Sequence, residues 1–354
     1  MITLGVDAHK RTHTIVAVDT AGRQLATVTV AATSEGHFKA LRWAARFTPR
    51  RWAIEDCRPV TRRLERDLLG TGETAVRVPP KLMAQSRTSA RTVGKSDPID
   101  ALAIARAALR HDDLPEARLD GHERVLRIVS DRRDVLVAEK TRLVNRLRWR
   151  LHELDPTNVP PSGGFNRRCV LDELTGQFTQ WAHSPDPVVA TNATIGLDEL
   201  ERITQLVDQV RHLEQLLTEQ VTTSHQHLLD IVGIGAINAA AIVGHIGNLD
   251  RFATEDKFAA LVATAPIPVS SGNHHRYRLN HGGNRYLNAV IHRIAITQLA
   301  HYQPAKNLVA AATTRGKTKK EAIRILKRHI TRAIYTHLKE DQQTHNHQQQ
   351  PTAA

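Results

Sequence analysis

Residues 2–86 alternate short apolar runs with helically spaced apolar stripes, and the order in which they do so leaves few folds open. ITLGVDA at 2–8, His13–Val18 and Leu25–Val30 read as three strands in an antiparallel meander, with a polar turn at Thr20-Ala21-Gly22. Ser34 can cap a helix whose apolar face is Phe38, Leu41, Trp43, Ala44 and Phe47. Arg51–Cys57 is a fourth strand and Thr61–Leu69 a basic amphipathic helix ended by Gly70. Thr74–Val78 is a fifth strand, stopped by Pro79-Pro80. A helix around Lys81–Ser86 then leads into the Arg/Ser/Thr-rich loop Arg87–Lys95 and into a helix after Asp97. Three strands, helix, strand, helix, strand, helix is the order of an RNase H-like fold, an α/β sheet of mixed strand direction. This domain is expected over residues 1–118.

Residues 119–225 are expected to be a helical region. From His122 to Leu154 there is no proline or glycine, and Leu143, Leu147, Leu151 and Leu154 form a stripe among Arg142, Arg146, Arg148 and Arg150. Leu200, Ile203, Val207, Val210, Leu213 and Leu217 repeat the pattern. Two long helices around a polar, Pro/Gly-containing middle predict an antiparallel coiled-coil arm or dimerisation element, or else helices packed in one bundle. A mostly helical C-terminal domain follows at 226–340. It opens with LLDIVGIGAINAAAIVGHIG, where Gly233 and Gly235 sit between two short apolar helices. That arrangement resembles a helix-hairpin-helix, whose turn amides can hold a DNA phosphate. Arg315, Lys317, Lys319, Lys320, Arg324, Lys327, Arg328 and Arg332 crowd the last helix, and the Gln/His/Thr-rich tail at 341–354 is expected to be disordered.

Composition narrows the partner. Over 354 residues, 49 Lys+Arg against 36 Asp+Glu leave a formal charge of +13, which favours a polyanion. Nucleic acid is expected over a membrane, because no stretch is apolar enough to span a bilayer. The N-terminus reads as a strand and not as a secretion signal. Cys57 and Cys169 are the two cysteines, which excludes a disulfide framework or a cysteine zinc site and fits a reducing cytoplasm.

Within this fold the carboxylates become informative. In KSDPIDA, Pro98 suits the first position of a helix, and Asp97 and Asp100 fall on one side of its first turn. A capping role for Asp97 and a dipole role for Asp100 would account for the pair alone. An RNase H-like sheet, however, brings Asp7 on the first strand and Glu55 on the fourth beside that helix. Asp56 competes with Glu55, and strand alternation does not choose between them. Four converging carboxylates repel unless divalent cations lie among them. Two Mg2+ ions about 4 Å apart can hold both the attacking and the leaving oxygen of a phosphodiester displacement, and an oxygen-only donor set favours Mg2+ or Mn2+ over zinc.

GVDAHK at 5–10, AIEDC at 53–57 and KSDPIDA at 95–101 resemble the D-E-D-D set of the IS110 family of transposases, which carry a RuvC-like N-terminal domain. GIGAINAAAIVGHIG, APIPVSSG and RLNHGGNRYLN resemble that family's C-terminal transposase domain, so the likeness covers most of the chain in the right order. The resemblance implies that Asp7, Glu55, Asp97 and Asp100 bind metal. It also implies that Ser271, the serine before glycine in APIPVSSG, is a nucleophile forming a covalent link to DNA, with Ser270 as runner-up. A serine nucleophile needs cations around its phosphate, and His274, His275, Arg276, Arg278 and Arg285 follow closely. The family further implies a structured guide RNA pairing with donor and target DNA, and exchange of strands implies a dimer or tetramer. Two other readings remain at this point: a metal-dependent structure-specific endonuclease of the Holliday-junction resolvase type using water, and a DNA-binding protein without catalysis.

Overall fold

β1 (Ile2–Ala8) and β2 (Thr12–Val18) are buried from their second residue onward, as strands covered on both faces are. β3 (Gln24–Ala31) is mostly exposed and forms a sheet edge. These strands open a computed structural model that describes residues 1–88, 96–161, 163–271 and 274–349 and divides into two units, Met1–Gly121 and His122–Ala354. The first unit continues with α1 (Ser34–Ala44), β4 (Arg50–Glu55), α2 (Arg58–Leu69), β5 (Ala75–Val78), α3 (Pro80–Thr88) and α4 (Asp97–Arg110). Its five-stranded sheet has the order β3-β2-β1-β4-β5. The first three strands pair antiparallel, and β4 pairs parallel with both β1 and β5. This mixed-direction sheet is the RNase H-like arrangement expected from the order of elements. Most of the loop 87–95 lies outside the described residues.

Two local expectations are corrected. Thr33, not Ser34, caps α1, its hydroxyl accepting from the Gly36 amide at 3.2 Å. Phe38 is 58% exposed, because the buried stripe of α1 is Gly36, His37, Ala40 and Ala44, and Phe38 lies off that face beneath the Arg42 guanidinium. Asp19 is a turn residue, accepting from the amides of Ala21 and Arg23.

The second unit begins with α5 (His122–Leu154), α6 (Arg168–Ala182) and α7 (Pro187–Ser224). Arg133 pairs with Glu214, Arg202 with Glu139 and Arg150 with Asn192, so α5 and α7 run antiparallel. The leucine stripe of α5 packs on Leu200, Ile203, Val207 and Val210 of α7. A third helix joins them: α6 adds Leu171, Leu174 and Phe178, whose ring fills the space beside Gly196.

The remaining elements are α8 (Gln226–Leu229), α9 (Ala236–Ile246), α10 (Glu255–Leu261), β6 (Ile267–Ser271), β7 (His274–Arg278), α11 (Arg285–His301), α12 (Gln303–Thr314) and α13 (Lys319–Gln349). Leu126 of α5 and Leu217 and Val221 of α7 share a core with Ile242, Phe258, Ile291 and Ile334, so the boundary expected near residue 225 falls inside this unit. The stretch from Asp341, expected to be unstructured, is helical to Gln349. A tertiary contact anchors its start: Asp341 is buried and accepts from the amides of His227 and Leu228 at the start of the one-turn helix α8. Gly233 turns the chain at φ 87° against the Ile294 carbonyl, and Gly235 is the N-cap of α9. Among the described residues, no helix is long and apolar enough to cross a membrane.

Candidate acidic site

The site is set by how closely α4 can approach β1. A Cβ on Gly5 would lie 2.2 Å from the Ala101 carbonyl oxygen and 2.6 Å from the Ala105 amide nitrogen, so only glycine admits the helix at this distance. Ala101 and Ala105 are fully buried and pack with Val16 and Val18. The start of α4 therefore lies beside the end of β1.

At that end Asp7 is 4% exposed. Burial first pushes its carboxyl above the ordinary carboxylate value; the nearby Asp100 and Asp97 charges push the same way, and His9 opposes them. His9 Nε2 stands 3.1 Å from Asp7 Oδ2 and 3.4 Å from Asp97 Oδ1. Among the described residues, Asp7, His9 and Asp97 form a group whose ligand atoms all lie within 4.8 Å of one another. Asp100, one turn along α4, is buried. β1 and β4 are in register up to Val6 and Ile54, which makes Asp7 and Glu55 the next positions along the two strands. Asp7 and Glu55 line one concavity of about 610 Å³ with His9, Lys10, Arg11 and Cys57. Glu55 is half-buried there and Asp56 is exposed, which separates two acids that the sequence left equivalent.

The capping account of Asp97 does not hold. Asp97 is the first residue of α4, and the N-cap is Ser96, which makes no side-chain capping bond. Asp97 is left half-exposed beside His9 and Asp7. A buried carboxylate, a second carboxylate within reach and a raised proton affinity are what a cation would relieve, so the residues fit a divalent metal. His9 was missed in the sequence. Its signal was available: it stands two residues beyond Asp7, just past the end of β1.

The remaining expected site residues lie in the second unit. Ser271 ends β6 opposite His274, and Ser270 is opposite His275. Arg276 and Arg278 are on β7, and Arg285 is the first residue of α11; Arg278 and Arg285 are exposed. The segment that leads into β6 is held by the asparagines of RLNHGGNRYLN. Asn280 donates to the Ala260 carbonyl, and Asn288 donates to those of Val262 and Ala263 at 3.1 and 2.9 Å. Ala263 itself has φ 58°, a strained left-handed conformation for a residue with a Cβ. Lys327 Nζ donates to Asn288 Oδ1 at 2.6 Å, and burial lowers that lysine to about 8. Three of the basic residues that crowd the last helix are thus spoken for. Lys327 is buried, while Arg328 pairs with Glu255 and Asp256, and Arg332 with Glu255. Arg315, Lys317, Lys319, Lys320 and Arg324 stay exposed.

A mixed sheet with carboxylates at the ends of two adjacent central strands and at the start of the helix packed on them defines an RNase H-like acidic-site domain, here followed by a helical unit. A family model described as transposase, of the DEDD IS110 type, matches residues 4–156, and one described as transposase of the IS116/IS110/IS902 family matches residues 225–310. The chain belongs to this family of insertion-element transposases. It is 23% identical to a 44.8 kDa protein of insertion element IS116 from Streptomyces clavuligerus, over 96% of this chain and 95% of that one. It is 25% identical to a 42 kDa protein of insertion element IS900 from Mycobacterium paratuberculosis, over 58% of this chain and 61% of that one. A RuvC from T. thermophilus, solved with a Holliday junction, aligns at 15% identity and a TM-score of 0.27, covering 33% of this chain and 99% of RuvC.

Proposed function

We propose that the chain cuts and rejoins DNA for its insertion element, with Asp7, Glu55, Asp97 and Asp100 holding divalent cations and Ser271 attacking the DNA phosphate. The observation that carries this reading is the approach of the start of α4 to the end of β1, which sets Asp97 within reach of buried Asp7. Bound there, Mg2+ or Mn2+ would offset phosphate charge. Asp7 and Glu55 would fix the ligands from rigid strands, and Asp97 and Asp100 would add theirs from the helix start. Ser271 Oγ would form a phosphodiester to DNA as the strand's sugar oxygen leaves. That exchange conserves a phosphodiester, so rejoining needs no external energy source.

The strand position of Ser271, the asparagine clamp on the segment that leads into its strand and exposed Arg278 and Arg285 support a nucleophile held near a phosphate. The net charge supports a nucleic-acid partner, here donor and target DNA together with a structured guide RNA. The amides around Gly233 and Gly235 would add a backbone phosphate contact. Strand exchange needs more than one active site, hence a homodimer or homotetramer.

The test is covalent trapping. The full chain is incubated with cognate element-end DNA, RNA and Mg2+, denatured, and resolved for protein–DNA adduct. The adduct should disappear in Ser271→Ala and persist in Ser270→Ala. Cleavage that survives Ser271→Ala would replace this reading with a water-using endonuclease built on the same acidic site. No breakage with any metal would leave a DNA-binding protein.

A further inference from the structure

We propose that His9 is a ligand of the cation at the acidic site, which gives that site a nitrogen donor and makes it select Mn2+ over Mg2+. The inference rests on the metal-binding reading of Asp7 and Asp97 above and goes beyond it in donor set and metal preference.

Three observations converge on His9. Its Nε2 faces both carboxylates, at 3.1 Å from Asp7 Oδ2 and 3.4 Å from Asp97 Oδ1, so one atom is shared between two acids on different elements. The side chain is half-exposed and the Asp7 side chain is 6% exposed, so the imidazole lies between solvent and the buried carboxylate. It also lines the concavity that holds Glu55. A surface histidine paired with one aspartate would need none of this convergence. Replacing the His9–Asp7 hydrogen bond with a cation requires only that Nε2 present its lone pair inward, and the Asp7, His9 and Asp97 ligand atoms are already gathered within 4.8 Å.

The chemistry of the donors then decides the metal. Carboxylate oxygens suit Mg2+ and Mn2+ alike, whereas imidazole favours first-row transition ions. Mg2+ also gives up its water reluctantly and seldom takes dedicated protein cages. Two carboxylates and one imidazole therefore favour Mn2+ over Mg2+.

The full-length protein is titrated with Mn2+, following the free-ion electron paramagnetic resonance signal, and then with Mg2+ in competition; the bound Mn2+ is examined for 14N modulation by electron spin echo. Wild type should bind Mn2+ about tenfold or more tighter than Mg2+, with 14N modulation present. His9→Gln should lose the modulation and lose about tenfold or more in Mn2+ affinity, with Mg2+ affinity changed by about twofold at most. The other 19 of the 20 histidines remain in His9→Gln, so they serve as the internal control. Modulation that persists in His9→Gln, or His9→Gln and His9→Asn that bind Mn2+ as wild type does, overturns the inference. If Asp7→Asn and Asp97→Asn abolish Mn2+ binding while both His9 variants keep it, His9 is not a ligand and the carboxylate site stands. If none of these variants alters Mn2+ binding, the carboxylate site falls as well. Circular dichroism of each folded variant shows that loss of binding is not loss of structure.

Discussion

The carbonyl oxygen of Ala101 occupies the space where a side chain at Gly5 would begin, 2.2 Å from the position of a Cβ. Gly5→Ala must therefore push α4 off β1, since both colliding groups are backbone. Overpacking of this kind costs about 1–3 kcal/mol. The expected outcome is a lower urea midpoint for Gly5→Ala together with weaker divalent-metal binding, because the displaced helix carries Asp97 and Asp100. An unchanged midpoint would show that the contact relaxes.

Asp97 is half-exposed and makes no capping bond, so its removal should leave stability within about 0.5 kcal/mol. Asp97→Asn should nevertheless abolish strand breakage. Thermal unfolding and a DNA-nicking assay on the same preparation separate the two effects. A large loss of stability would instead return Asp97 to a structural role.

Asn288 satisfies the carbonyls of Val262 and Ala263 and accepts from Lys327. Asn288→Ala leaves a buried lysine and two carbonyls without that partner, at a cost of about 1–3 kcal/mol. The denaturation midpoint should fall accordingly, and adduct formation should fall with it, because the segment leading to Ser271 loses its anchor. Retention of full adduct yield at lowered stability would place the clamp outside the chemistry.

His13 is buried and stacked on His37 at 5.2 Å, and burial first, with the His37 and His9 charges, lowers it from 6.5 to about 4. The folded state thus resists a proton that the unfolded chain accepts. The stability His13 supports is complete above pH 6.5 and is lost as the pH falls toward 4, by up to about 3 kcal/mol. Urea titrations at several pH values should show this decline in wild type and a shallower one in His13→Phe. Parallel profiles would assign the acid sensitivity to other groups.

Much of the first unit was legible in the chain because its signals are local. Strand runs, the Asp19 turn and the stop at Pro79-Pro80 each depend on neighbours in sequence, and the element order fixed the sheet type. The leucine stripes of α5 and α7 were equally readable, since helical periodicity alone sets which side is buried. Less visible were α6, which enters the core between them, and the helical continuation past Asp341, which depends on two amides more than a hundred positions upstream.

For the site, residue type and spacing alone supplied the acids, their placement on strand ends and a helix start, and the glycine in GVD. The tertiary structure decided what those acids face. It separated Glu55 from Asp56 by burial, removed the capping role from Asp97 and brought His9 between two carboxylates. It also withdrew Lys327, Arg328 and Arg332 from the free basic residues of the last helix by pairing or burying them. The physical reason is the same in each case. Residue type and spacing set which groups an element can present, while charge, exposure and ligation depend on distances of a few ångströms between elements remote in sequence.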